Sequence, residues 1–185
     1  MLKNTSVTKL ALYLAFSFLS VVVMPPTLLS ATPKMKLSQP VAGSLFVILK
    51  GSEALHSSLY GMDHKKAQEN VMQLIKTVEI AQAVSSRSEN AETLVHLDKI
   101  LSSIKNRLRD VQNIPSNEKE RRLSYLKEFF QQLIQLTRLY DISHSYNVFF
   151  CPKDKEKGVW LQRSSKAQNP FDPEGSLKAC GVMMR

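Results

Sequence analysis

From Leu45 onward, apolar residues recur every three or four positions, and the recurrence breaks and resumes three times. Leu45, Ile48, Leu55 and Leu59 make the first stripe, widened by Val47 and Leu49. Gly61 and Asp63 interrupt it, and Asp63 is placed to cap whatever follows. Ala67, Val71, Leu74, Val78 and Ala81 make the second stripe, spaced alternately by four and three. The polar run 85–90 suits a turn. Leu94, Leu97, Leu101, Ile104, Leu108 and Val111 form the third stripe, which Pro115 and Ser116 stop. Asn117 and Glu120 then stand at the spacing of a capping box. The fourth stripe runs through Leu123, Leu126, Phe130, Leu133, Leu136 and Tyr140. Such spacing puts each set on one face of a helix. Four amphipathic segments joined by short polar turns predict an all-α fold, an antiparallel up-down four-helix bundle over residues 41–141.

Beyond residue 141 the periodicity ends. Residues 142–185 are rich in Pro, Asn, Gly and aromatics and hold both cysteines, Cys151 and Cys180. They read as an irregular, cysteine-bracketed tail packed on the bundle and belonging to the same domain. Gly158 to Arg163 is short enough for one strand or an extended arm. Trp160, between Val159 and Leu161, reads as an anchor that packs this arm down.

The other end of the chain differs in kind. Lys3 and Lys9 precede or flank an apolar run, Leu10 to Val23, which Pro25 and Pro26 end. Ser30 and Ala31 follow, and no acid occurs before Glu53. A basic start, a short apolar core and a small-residue exit predict a signal peptide over residues 1–31, with cleavage after Ser30 or Ala31. The run is shorter than the roughly 20 residues that a spanning helix needs. The membrane is then met only transiently, through the signal segment. Residues 32–40, with two prolines, read as a linker. The expected location is the periplasm or the outside of the cell.

Composition narrows the picture further. A chain of 185 residues suits one domain, and 43% hydrophobic residues with only six glycines suit a compact helical protein better than a disordered one. The net charge is +9. Lys65, Lys66, Lys99, Lys105, Arg107, Arg109, Lys119, Arg121 and Arg122 alternate with acids along the expected outer faces, so they read as a solvated surface, with no nucleic-acid partner. His56, His64 and His96 are expected at the surface. No Glu-x-x-His pair on two helices and no Cys-x-x-Cys-His occurs, which disfavours a di-iron core and covalent haem. There is no Gly-rich phosphate loop, nucleophile elbow or paired-carboxylate motif, so the expectation is a protein that is not an enzyme and has no catalytic residues.

The two cysteines carry the remaining chemistry. Standing 29 positions apart in an exported domain, they suit a structural disulfide. They also suit a soft-metal site, in which Cys151 and Cys180 hold Cu(I) with Met183, His144 or Met184. Both readings stand at the level of spacing.

Cys151-Pro152, Trp160-Leu161, Asn169-Pro170-Phe171 and Cys180-Gly181 occur in that order after a helical region. This pattern resembles the bacterial domain of unknown function 3347, whose tail reads Cys-Pro-Met, Tyr-Trp-Leu, Asn-Pro-Tyr and Cys-Gly. That family occurs alone behind signal peptides and attached to periplasmic adaptors of heavy-metal efflux pumps. The resemblance implies a periplasmic domain that binds a metal ion or a protein partner, such as an efflux or other envelope protein. The family Met after Cys-Pro is Lys153 here, and the Met three residues before the second Cys is Leu177. Two thioethers are lost, and an ammonium stands beside any cation site. The alternative is a purely structural or interaction module, stapled by a Cys151–Cys180 disulfide and free of ligand.

Overall fold

The computed structural model describes residues 33–115, 117–142, 145–154 and 158–184. The expected signal segment 1–31 and His144 lie outside them. The four stripes become four helices: α1 (Gln39–Tyr60), α2 (His64–Ser88), α3 (Ala91–Asn113) and α4 (Lys119–Leu139). Each packs against its successor in sequence. Leu45, Ile48, Leu74, Val78, Leu101, Leu108, Phe130 and Leu133 meet in the core, all from the expected stripes. The bundle is therefore the one that the periodicity predicts.

The helix ends show how the chain turns. α1 begins at Gln39, inside the expected linker, because Pro40 fits the first turn, where its missing N–H is not needed. At its other end the Gly61 N–H donates to the Ser57 carbonyl at 2.9 Å and the Asp63 N–H to the Ser58 carbonyl at 2.9 Å. Met62, between them, sits in the left-handed region at φ 59°. That conformation costs a side-chain-bearing residue roughly 1–2 kcal/mol. The Asp63 carboxylate accepts the Lys66 N–H at 2.9 Å and caps α2 as expected.

Two expected boundaries are corrected. The run 85–90 is mostly helix. Ser85 is fully buried, and its hydroxyl donates back to the Ala81 carbonyl at 2.8 Å. A polar residue satisfied in this way does not end a helix. The turn shrinks to Glu89 and Asn90, and the Asn90 side chain caps α3 by accepting the Thr93 N–H at 2.9 Å. The capping box of Asn117 and Glu120 does not form: Glu118 is the N-cap of α4 and makes no side-chain capping bond.

The segment ahead of α1 is tied down. The Met35 N–H donates to the Leu139 carbonyl at 2.8 Å, and the Asp141 N–H donates to the Met35 carbonyl at 3.1 Å. The tail carries more regular structure than its composition predicts. β1 (Asn147–Phe150), β2 (Val159–Gln162) and β3 (Val182–Met184) form a sheet of order β2-β1-β3, antiparallel throughout. β2 packs on both α4 and α1, so the tail bridges the first and last helices. Bundle and tail form one compact unit, Lys34–Arg185. No helix among the described residues is long and apolar enough to cross a membrane.

Candidate functional site

The ladder register sets Phe150 opposite Val159 on one side and Val182 on the other. Cys151 follows β1 directly, and Cys180 stands two residues ahead of β3. The pairing that aligns Phe150 with Val182 therefore brings the two cysteines to the same end of the ladder. They form a disulfide with their Cα atoms 5.2 Å apart, within the ordinary range. It closes a loop that contains β2. A disulfide of this kind indicates an oxidising, extracellular-type compartment.

Of the residues expected around Cu(I), the structure brings Cys151 and Cys180 together and bonds their sulfurs to each other. Neither is then a thiolate, the form that binds soft metals. Met183 lies opposite Phe149 in the ladder, and Met184 lies opposite Val148. Consecutive strand residues point to opposite faces, so the two thioethers diverge. Among the described residues, no three His, Cys, Asp or Glu side chains are grouped to hold a metal ion.

Inside the sheet an aromatic series runs from the tail into the bundle. Phe149 stacks on Trp160 at 5.8 Å, Trp160 meets Phe171 edge-on at 6.2 Å, and Phe171 meets Phe130 of α4 edge-on at 5.8 Å. Trp160 is fully buried, in keeping with the anchoring role expected for it. Its indole N–H donates to Gln162 Oε1 at 2.8 Å, and Gln162 Nε2 donates to the carbonyls of Ser164 and Lys166. Gly181 lies so close to this ring that a Cβ there would stand 3.0 Å from Trp160 Cζ2 and 2.5 Å from the Ala167 Cβ. Glycine is the residue that this approach admits.

A polar latch holds the tail to α1. The Arg163 guanidinium pairs with Glu53 at 3.3 Å and lies over the rings of Phe46 and Tyr146. Lys178 lies over Tyr60 at 5.0 Å. Between Glu53 and Tyr60 sits His56, whose Nε2 hydrogen-bonds the Gln168 carbonyl at 2.7 Å. His56 is 1% exposed, which overturns the expectation of a surface histidine. Burial pushes its pKa below the ordinary 6.5; the Gln168 carbonyl and the Glu53 charge oppose that shift without reversing it. The signal was present in the sequence. His56 stands seven residues after Leu49 and four after Ser52, and both of those are buried on α1. His64 and His96 are exposed as expected.

No family model, curated protein or solved structure matches the chain. The functional reading therefore rests on the geometry.

Proposed function

We propose that this is an exported, non-enzymatic domain of the bacterial periplasm that works by binding an extended segment of another envelope protein along β3. The observation that carries the reading is the exposure of Val182, Met183 and Met184 on a strand at the edge of the sheet. An edge strand offers unpaired backbone groups to an added strand, and soluble proteins ordinarily blunt such edges. Here the edge stays apolar. An open groove runs from Met184 across the sheet past Phe150, Pro152 and Val159, and Arg138 of α4 lines a second groove beside Met184 and Val159. Arg138 sets a positive charge beside Met184, which favours a partner with an acid next to its apolar residues. The disulfide supports a structural part for both cysteines, holding β1 and β3 in register. Metal binding by the same sulfurs requires that bond to be reduced first.

The test is a photo-crosslinking side chain placed at Val182 in cells that export the protein, with a control at Ile80, an exposed apolar residue of α2. The reading expects one discrete protein adduct at position 182, lost when Met184→Glu is added and absent at position 80. Absence of an adduct at 182, or the same adducts at both positions, overturns it. Stoichiometric retention of Cu(I) by the oxidised, purified chain overturns it in favour of a metal site.

A further inference from the structure

Between the α1–α2 turn, the start of α4 and the tail segment 170–174 lies a cavity of about 290 Å³. Leu59, Leu126 and Phe171 give it apolar walls, and Lys119 stands among the residues around it. A smaller space of about 60 Å³, reaching in toward Val71 and Val111, adjoins it; Leu59, His64, Arg122 and Leu126 line both. The volume stands near the lower end of the roughly 300–1,000 Å³ usual for small-molecule sites, and mostly apolar walls with a few polar groups are their usual construction.

Arg122 is the polar group that matters. Its sequence neighbours suggest an outer-face charge, yet it is half-buried. One terminal guanidinium nitrogen donates to the Ile114 carbonyl at 2.8 Å. Its Nε is buried and donates to nothing among the described residues. Glu118 pairs with Arg121 at 3.0 Å; Glu174, which also lines the cavity, stands 3.9 Å from Lys119, so the charges of those two offset each other and Arg122 is left as the uncompensated cation of the lining. Arginine does not deprotonate in proteins, so Arg122 puts a fixed cation, with one donor unused, among the mostly apolar residues that line the cavity. Such an orphan is costly, and native structures keep few of them. A carboxylate matches a guanidinium by geometry as well as by charge, since the planar group donates two parallel bonds to one carboxylate.

We propose that this cavity binds a small amphiphilic carboxylate, its apolar body against Leu59, Leu126 and Phe171 and its carboxylate on Arg122. The site is separate from the β3 edge and does not depend on the partner reading. A ligand of this class has one anionic head and an apolar body no larger than a medium alkyl chain or a single aryl group.

Trp160, the only tryptophan, touches Phe171 edge-on and so reports on the cavity wall. The purified oxidised chain is titrated with octanoate and, separately, with octanol. The expected result is a saturable change in Trp160 emission with octanoate, at an affinity at least tenfold tighter than for octanol. Arg122→Met keeps an unbranched, apolar side chain and removes the charge; octanoate affinity should fall at least tenfold in it while octanol affinity is unchanged. Absence of saturable octanoate binding, or equal octanoate affinity in the variant, overturns the proposal. Should Arg122→Met fail to fold, the wild-type comparison decides by itself: octanol bound as tightly as octanoate overturns it.

Discussion

Breaking the Cys151–Cys180 bond should cost the domain a large part of its stability, and the size of the loss follows from the length of loop it closes. The cysteines are 29 positions apart. In the chain-entropy model a loop of that length restricts the unfolded chain enough to stabilise the folded state by about 3–4 kcal/mol. A domain of this size loses about 2–4 °C of Tm per kcal/mol, so the expected fall is about 6–16 °C. The assay is thermal unfolding by circular dichroism, with and without a reductant, beside the double variant Cys151→Ala and Cys180→Ala. Reduction cuts the bond and keeps every heavy atom; the double variant also opens space at the buried Cys151 and should melt somewhat lower. A reduced wild type that melts within about 2 °C of the oxidised protein would refute the reasoning, because the loop would then be constrained by its packing even in the unfolded ensemble.

Two further outcomes follow from single residues. Gly181→Ala should destabilise the domain by about 1–3 kcal/mol in a urea titration, because its Cβ would press on Trp160 and Ala167. Gly43→Ala, in an exposed helical position where a Cβ meets nothing within 4 Å, should stabilise it by about 0.5–1 kcal/mol; the opposite sign at either site counts against the geometry. The buried His56 should make stability depend on pH. Its folded pKa lies below the ordinary 6.5, so the unfolded chain takes up the proton first, and stability is whole above 6.5 and lost as pH falls through the lowered folded value. Glu53, Arg163 and Lys178 surround the latch; the isolating comparison is therefore His56→Gln, whose urea midpoint should converge on that of the wild type below pH 6.5 and differ by a constant amount above it. A difference that stays the same from pH 8 to pH 4.5 would be inconsistent with this account.

How much of this was legible beforehand depends on what kind of force placed each residue. The four stripes were readable because a helix repeats its buried face every three to four residues, and the core is made of those positions. Ser85 misled because its polarity is answered inside its own helix, one turn back, which composition does not reveal. His56 misled because α1 is covered twice, by α2 and by the tail, so its buried face is wider than one stripe. The strands of the tail hold three or four residues each, too few for alternation to stand out. Arg122 was hidden among the charges of Lys119, Glu120 and Arg121. What sets it apart is the Ile114 carbonyl and the wall formed by Leu59 and Phe171, which only folding brings near.

The fastenings of the tail differ in what they control. The aromatic series from Phe149 through Trp160 and Phe171 to Phe130 joins β1, β2 and the loop to α4. The latch of Glu53, His56 and Tyr60 joins the same loop to α1. Neither set includes β3. That strand has three residues, all exposed, and among the described residues its only ladder partner is β1. So short an edge strand is marginal without a further tie, and the disulfide supplies one immediately ahead of it. Reduction should therefore loosen Val182–Met184 well before it releases Trp160 from the core. On the proposed reading, the bond does more than add to global stability: it decides whether the apolar edge is presented to a partner in one register. Oxidation after export would then switch on the binding surface of a bundle that is already folded.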